Sequence, residues 1–245
     1  MRNFTRINIW SRYVPVVTLS LIFLIILCFC FQSKVEATDS NFAALASLFS
    51  VSRESVQNGH LGRLITANFF HLNLGHLLSN ISGLLFFSSL LEILLGKPRV
   101  TIIILLCALG GTIGSLSFHM VNWMVGSSTI LFGVFGGLGV LILKCRGALH
   151  RHFITALITW CIFLIPLTTL GYLSMEKVDQ GAHAGGLIAG ILSTWMIVYR
   201  YPYPYSIMEL NEPLSRKGIV FLVVLLAVFG LSLITEVVPL LRLPV

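Results

Sequence analysis

Long apolar segments recur along the chain, and they constrain its fold more than any other feature. A helix that crosses a lipid bilayer needs about 20 predominantly apolar residues. Candidate spans of about that length occur at 14–31, 69–95, 100–120, 127–143, 153–172, 182–199 and 219–235. Because lipid offers no hydrogen-bond partners, each segment must satisfy its backbone groups internally, as a helix does. The sequence therefore predicts an all-α, polytopic membrane protein.

The composition excludes several other classes of protein. Charged residues make up 10% of the chain and hydrophobic residues 56%, whereas soluble domains have about 25% charged residues. So few charges cannot cover a water-exposed surface, which excludes a soluble enzyme, a disordered protein and a nucleic-acid-binding domain. The apolar runs are continuous, whereas the strands of an outer-membrane barrel alternate apolar and polar residues. We accordingly expect membrane lipid, and no nucleic acid, around this chain.

The 16 Lys and Arg residues are divided unevenly between the two sides of the membrane that the seven spans define. Eleven fall on the side of the N-terminus: Arg2, Arg6, Arg12, Lys97, Arg99, Lys144, Arg146, Arg151, Arg200, Arg216 and Lys217. Five fall on the other side: Lys34, Arg53, Arg63, Lys177 and Arg242. Since basic loops stay in the cytoplasm, we expect a cytoplasmic N-terminus and an external C-terminus.

The spans and charges suggest a division of the chain into four parts. Residues 1–13 form a cytoplasmic N-terminus, 14–199 a six-span core, 200–217 a proline-containing cytoplasmic linker, and 218–245 a seventh span with an external C-terminus. We expect short helices at the outer membrane surface within 32–68. No internal repeat is visible, which disfavours a transporter built from two related halves.

The first apolar segment also has an alternative interpretation. The basic start, the apolar run and Val35-Glu36-Ala37 resemble a signal peptide with its cleavage site. The run is longer than a usual signal core, so we favour a retained span.

Three of the spans open with polar residues at their external ends. The second carries His71, His76 and Asn80, the fourth opens Gly126-Ser127-Ser128, and the sixth carries His183. Polar side chains inside a membrane are costly and mark functional sites. His76 and Asn80 are four residues apart and share one helix face, while His71 belongs to the entrance of that helix. Three separate segments thus bring polar groups to one depth.

These residue types fit a hydroxyl nucleophile with its base. Ser128 can supply the nucleophile and His183 the base that takes its proton. His76, Asn80 and the Ser128 backbone N–H can donate hydrogen bonds to a developing oxyanion. Pairs of glycines four residues apart let the fourth and sixth helices approach closely: Gly133 with Gly137, Gly181 with Gly185, and Gly186 with Gly190.

Other chemistries fit less well. A zinc site from His71, His76 and His183 is disfavoured, because the chain has no His-Glu-x-x-His pattern. An aspartyl intramembrane protease needs two intramembrane aspartates, and the only aspartates are Asp39 and Asp179. We expect neither a metal nor another cofactor.

The ordered motifs resemble those of the rhomboid family of intramembrane serine proteases. The matching positions are His71, His76 and Asn80; Gly126-Ser127-Ser128; Ala182-His183-Ala184-Gly185; Arg63, eight residues before the first His; and Glu92, twelve after the Asn. The resemblance covers about 14–199. It implies a rhomboid-like six-helix core with one added C-terminal transmembrane helix.

The resemblance also implies roles. Ser128 would be the nucleophile and His183 the general base of a dyad, with His76, Asn80 and the Ser128 amide as the oxyanion hole. Phe132, one turn after Ser128, would face the catalytic His. Transmembrane proteins would be the substrates, and a bacterial inner membrane is compatible with the compact core. The alternative is an inactive rhomboid-like protein that binds membrane clients without cutting them.

Two positions depart from the family pattern. The family commonly has Gly directly after the nucleophile, where this chain has Thr129. We expect the Thr129 side chain to narrow the oxyanion cavity. The Trp-Arg pair of the first loop is Gly62-Arg63 here, so that loop is expected to anchor differently at the membrane surface.

Overall fold

A computed structural model describes residues 14–38, 48–118, 122–145 and 178–199, together with isolated helical positions between 216 and 231. Its helices are α1 Val16–Thr38, α2 Arg53–Gln57, α3 Arg63–Thr66, α4 Leu74–Leu95, α5 Lys97–Phe118, α6 Ser128–Cys145 and α7 Gln180–Val198. A 3₁₀ turn, Ala67–Phe69, follows α3. The predicted fifth span at 153–172 and the N-terminal segment 1–13 lie outside the described residues, as do the linker 200–217, apart from position 216, and most of the seventh span.

The observed helices confirm the predicted all-α membrane class. By length and composition, α1, α4, α5 and α7 can each cross a membrane, and α6 is a shorter apolar helix. Many large apolar side chains remain exposed on the described part of the molecule, including Ile188, Leu192, Trp195 and Met196 on α7. Such a surface suits lipid rather than water. The protein is an integral, multi-pass membrane protein.

The second span begins later than the sequence suggested. Helix α4 starts at Leu74, not at 69, because the Asn73 side chain caps it by accepting a hydrogen bond from the His76 backbone N at 2.8 Å. The residues that would have begun the predicted span belong to the separate turn Ala67–Phe69 or to the non-helical stretch 70–72. His71 therefore lies in a non-helical stretch between the turn and the helix.

The loop between α1 and α4 contains short helices, as predicted for 32–68, although α1 itself continues to Thr38. This loop is joined to the segment before α6 by an antiparallel β-bridge between Val51 and Met124. The two backbone hydrogen bonds of the bridge measure 3.0 and 2.9 Å. The bridge thus fixes the loop against the chain that leads into Ser128.

Glycines set the separation of the three helices around the site. Gly186 and Gly190 of α7 lie so close to the Thr129 and Gly133 backbones of α6 that no Cβ would fit. These contacts agree with the small-residue pairs noted in the sequence.

The other face of α7 packs just as tightly on α5. Gly181 and Gly185 contact Gly114 and Gly110, two residues that the sequence analysis did not single out. Backbone-to-backbone packing on both sides holds α7 between α5 and α6. The start of α7, which carries His183, is thereby placed beside the start of α6, which carries Ser128.

Glu92 joins α1 to the far end of α4. Its buried carboxylate accepts hydrogen bonds from the backbone N of Val17 at 3.0 Å, the backbone N of Thr18 at 2.9 Å and the Thr18 hydroxyl at 2.9 Å. A carboxylate at the first turn of a helix satisfies free N–H groups and complements the helix dipole. Glu92 therefore stabilises the packing of the first helix. At 1.5 Å per residue it lies about 24 Å along α4 from His76, so it supports the fold from a distance.

Candidate active site

The turn before α6 requires glycine at position 126. Gly126 has a φ of 118°, a backbone conformation that side-chain-bearing residues rarely adopt. The His76 imidazole packs directly on it, and a Cβ at this position would lie 2.6 Å from His76 Cε1. The Gly126 N–H donates to the Ala67 carbonyl at 3.0 Å. The glycine thus allows His76 to lie beside the start of α6.

Ser128 and His183 meet across two helices. Ser128 is the first residue of α6, and His183 lies in the first turn of α7. The Ser128 Oγ and His183 Nε2 atoms are 3.0 Å apart, within hydrogen-bond distance. Both residues are half-buried. The arrangement matches that of a hydroxyl nucleophile with an adjacent base.

The start of α7 is fixed by Asp179. Its carboxylate caps the helix by accepting from the Ala182 backbone N at 2.9 Å, and it also accepts a hydrogen bond from the Ser115 hydroxyl of α5. These contacts place Asp179 in a structural role at the base of the His183 turn. An Asp directly before a helix is a common N-cap, so this structural role of Asp179 could have been predicted from the sequence.

Phe132 stacks on the His183 ring, as the resemblance implied for this position. The two ring centroids are 4.1 Å apart and the ring planes differ by 13°. Because Phe132 lies one turn after Ser128 on α6, the stack holds the imidazole over the same helix that carries the hydroxyl. An aromatic face thus orients the imidazole.

Among the described residues, buried polar side-chain atoms without a hydrogen-bond partner occur mainly on α4 and in the stretch just before it. In the described part of the chain, five buried side-chain N or O atoms have no hydrogen-bond partner: His71 Nδ1, His76 Nδ1, Asn80 Nδ2, Ser89 Oγ and Thr194 Oγ1. Asn80 is only 3% exposed, so its unpaired amide N–H carries a cost of about 1–3 kcal/mol. A buried donor kept at such a cost is suited to a hydrogen bond formed later with a ligand.

His71 is held from both sides, although it lies outside α4. The Gln32 side chain, in the second half of α1, forms two hydrogen bonds with the His71 backbone: it donates to the carbonyl at 2.7 Å and accepts from the N–H at 3.2 Å. The His71 ring Nε2 lies 3.1 Å from Ser127 Oγ and accepts from the Ser127 backbone N at 3.4 Å. His71 thus braces the residue before Ser128. Gln32 was missed because its partner is 39 residues away in sequence.

Thr129 does not narrow the cavity, so that expectation was wrong. Its side chain is fully buried and points towards α5, where it packs against Gly111 and donates its hydroxyl proton to Asn68 Oδ1. Successive residues of a helix differ by about 100° in direction. With Ser128 facing His183, Thr129 must face a neighbouring helix instead.

The structure brings together most of the residues singled out from the sequence. His71, His76, Gly126, Ser128, Phe132 and His183 are linked by the contacts described above. Asn80 lies one turn after His76 on α4. Arg63 begins α3 and is half-buried, and Glu92 lies at the other end of α4. No group of three or more His, Cys, Asp or Glu side chains in the described ranges is arranged to hold a metal ion.

The sequence of this chain matches a known protein family. Residues 58–200, more than half of its length, match the family model of the rhomboid domain. The chain belongs to the rhomboid family. It is 29% identical over 176 residues to RHOMBOID-like protein 2 of Arabidopsis thaliana, which covers 71% of this chain and 55% of that protein.

Two further relatives are also similar to this rhomboid. RHOMBOID-like protein 4 of Arabidopsis thaliana is 30% identical over 62% of this chain and 37% of its own length. Rhomboid-like protease 3 of Toxoplasma gondii is 26% identical over 74% of this chain and 68% of its own length. The chain thus spans about half or less of the length of these two plant relatives.

Proposed function

We propose that this rhomboid is an intramembrane serine endopeptidase that cleaves membrane proteins with a Ser128–His183 dyad. The observation that carries the proposal is the 3.0 Å approach of Ser128 Oγ to His183 Nε2, made between two helices that small residues hold together. A relative named as a protease supports the same class of activity.

The first half of the reaction forms an acyl-enzyme. His183 Nε2 takes the proton from Ser128 Oγ as the oxygen attacks the scissile carbonyl carbon. The carbonyl oxygen becomes negatively charged and accepts hydrogen bonds from Asn80 Nδ2, His76 and the Ser128 backbone N–H. Because Ser128 is the first residue of α6, its N–H is among those without an intrahelical acceptor. The C–N bond then breaks, and His183 gives its proton to the leaving amine.

The second half returns the enzyme to its starting state. His183 takes a proton from a water molecule, which attacks the ester carbonyl, and the same donors bind the oxyanion. The ester bond breaks, Ser128 Oγ recovers the proton from His183, and the new carboxyl end leaves. In this scheme Phe132 orients the imidazole by stacking, a task that a carboxylate performs in a Ser-His-Asp triad. Asp179 stays bound to Ser115 and to the α7 backbone.

The proposed substrates rest on the position in the membrane that the sequence predicts for the site. The polar groups lie at the ends of α4, α6 and α7 that the charge distribution assigns to the outside. We therefore propose transmembrane proteins as substrates, cut near the external end of a span by the 14–199 core. The cytoplasmic N-terminus, the external C-terminus and the bacterial inner membrane stay predictions.

Cleavage of a single-span fluorogenic substrate in proteoliposomes tests the proposal. We expect wild-type protein to cut it, and Ser128→Ala and His183→Ala to be inactive while keeping the wild-type unfolding midpoint. Ser127→Ala is the matched comparison, because it removes a neighbouring hydroxyl that faces His71 instead of His183; it loosens a contact of the turn but should keep measurable cleavage. If Ser127→Ala is inactive and Ser128→Ala is active, the nucleophile is misassigned. If the wild type binds the substrate without cutting it, the chain is instead an inactive, client-binding rhomboid.

A further inference from the structure

One short stretch of the first loop forms hydrogen bonds with the turn before Ser128 and with the start of α6. We name residues 67–71 the clamp segment. The Ala67 carbonyl accepts from the Gly126 N–H at 3.0 Å, and the His71 ring contacts Ser127. Three of the four residues from 126 to 129 bond to this segment, the third through the Thr129 hydroxyl. The fourth is Ser128, whose hydroxyl faces His183.

Asn68 lies within the clamp segment, and both the oxygen and the nitrogen of its side-chain amide form hydrogen bonds. Its Oδ1 accepts from the Thr129 hydroxyl, and its Nδ2 donates to the Ile65 carbonyl at 3.1 Å and to Thr112 Oγ1 at 3.3 Å. The Thr112 hydroxyl in turn donates a hydrogen bond to the Leu64 carbonyl at 2.8 Å. A fully paired buried network of this kind adopts one geometry and resists displacement.

The network is built into the packing as well as into the hydrogen bonds. Asn68, Thr112 and Thr129 are each fully buried. Thr129 fits beside α5 because position 111 is glycine, and a Cβ there would overlap the Thr129 side chain. Helix α5 thus supplies both the space for Thr129 and, through Thr112, a hydrogen-bond partner for Asn68. The threonine that follows the nucleophile is an anchor between α6, α5 and the first loop.

We propose that Asn68 is a positioning residue for Ser128 and that it acts through the hydroxyl of Thr129. The inference rests on the proposed protease function. Ser128 and Thr129 are adjacent in the first turn of α6, so a shift of Thr129 displaces the Ser128 hydroxyl relative to His183. Displacement of a reacting group by about 1 Å can lower a rate up to about a hundredfold.

A single hydroxyl is removed to test this role. Thr129→Val keeps the shape of the side chain but leaves Asn68 Oδ1 without its donor, and Thr129→Ser restores the donor. We expect Thr129→Val to lower kcat and the rate of labelling by a fluorophosphonate probe about tenfold, with KM unchanged and with Thr129→Ser close to wild type. Should Thr129→Val fold poorly, Thr129→Ala and Thr129→Ser give a second pair that differs by one hydroxyl.

Thr18→Val is the matched control for stability. Thr18 is another buried threonine whose hydroxyl bonds polar side chains, but its partners, Ser88 and Glu92, lie in the second half of α4. We expect it to lower the unfolding midpoint as much as Thr129→Val does, while kcat and labelling stay at wild-type values below that midpoint. Equal losses of activity in both variants would show that activity follows stability, and the positioning role would be wrong.

A double mutant identifies the partner. If Thr129 acts through Asn68, the effects of Asn68→Ala and Thr129→Val on the labelling rate are not additive, and the double mutant labels about as fast as the slower single variant. Additive effects, or a Thr129→Val variant that labels like wild type, would overturn the positioning role alone. A wild-type protein that neither labels nor cleaves would overturn the protease function and the positioning role with it.

Discussion

Asn80 offers a perturbation whose effects on activity and on folding should separate. In the described structure its amide Nδ2 is buried and has no hydrogen-bond partner. We expect Asn80→Leu, which has a similar volume, to lower kcat by a factor of about 10²–10³, the usual cost of about 3–4 kcal/mol for one lost oxyanion donor. KM should change little, because full negative charge on the oxygen exists only in the transition state.

Folding should respond in the opposite direction. Removing an unpaired buried N–H relieves a desolvation cost of about 1–3 kcal/mol, so Asn80→Leu should unfold at the wild-type midpoint or above it. Functional sites commonly hold such destabilising groups, and their removal raises stability at the expense of activity.

Turnover on one fluorogenic transmembrane substrate and thermal unfolding in the same detergent measure the two effects. Ser89→Ala is the control: Ser89 Oγ is also buried and unpaired on α4, but it lies nine residues further on, about 13 Å along the helix. It should leave kcat unchanged. If Asn80→Leu turns over like wild type, Asn80 is structural and the oxyanion hole lies elsewhere.

Three further substitutions test separate contacts. Glu92→Gln weakens the charge-assisted bonds to the first turn of α1. It should lower the free energy of unfolding, measured with denaturant, by about 1–3 kcal/mol and leave kcat unchanged below the unfolding midpoint. An inactive but fully stable variant contradicts this. Gly126→Ala places a Cβ against the His76 ring, at a residue whose φ is 118°. Substrate turnover should therefore fall at least about tenfold. Turnover at the wild-type rate would show that this turn does not constrain the site. Phe132→Leu removes the stack on His183 and should lower the fluorophosphonate labelling rate about tenfold. Its unfolding midpoint and total helix content should match those of the wild type, and an unchanged labelling rate refutes the orienting role of the ring.

The residues that lie in motifs were predictable from the sequence. His76 and Asn80 share a helix face because they are four residues apart. The small residues of the fourth and sixth spans indicate close helix packing. Both inferences need only the local sequence. Asn73 was also readable as a helix cap, and using it would have moved the start of the second helix to its observed position.

Long-range partners were not predictable in this way. Gln32 and Asn68 bond residues that are 39 and 61 positions away, and no local pattern marks them as partners. The direction of the Thr129 side chain could not be predicted without knowing that Gly111 of α5 lies beside it. Packing between distant segments therefore decided the roles that the sequence left open or assigned wrongly.

The most direct test of the account is to find which atom of the protein becomes covalently modified. Wild-type protein in detergent is treated with a fluorophosphonate, digested and sequenced by mass spectrometry. We predict one phosphonylated serine, Ser128, and no adduct in His183→Ala, because the unactivated hydroxyl is a weak nucleophile. An adduct on Ser127, or equal labelling of Ser128 when His183 is absent, would contradict the dyad.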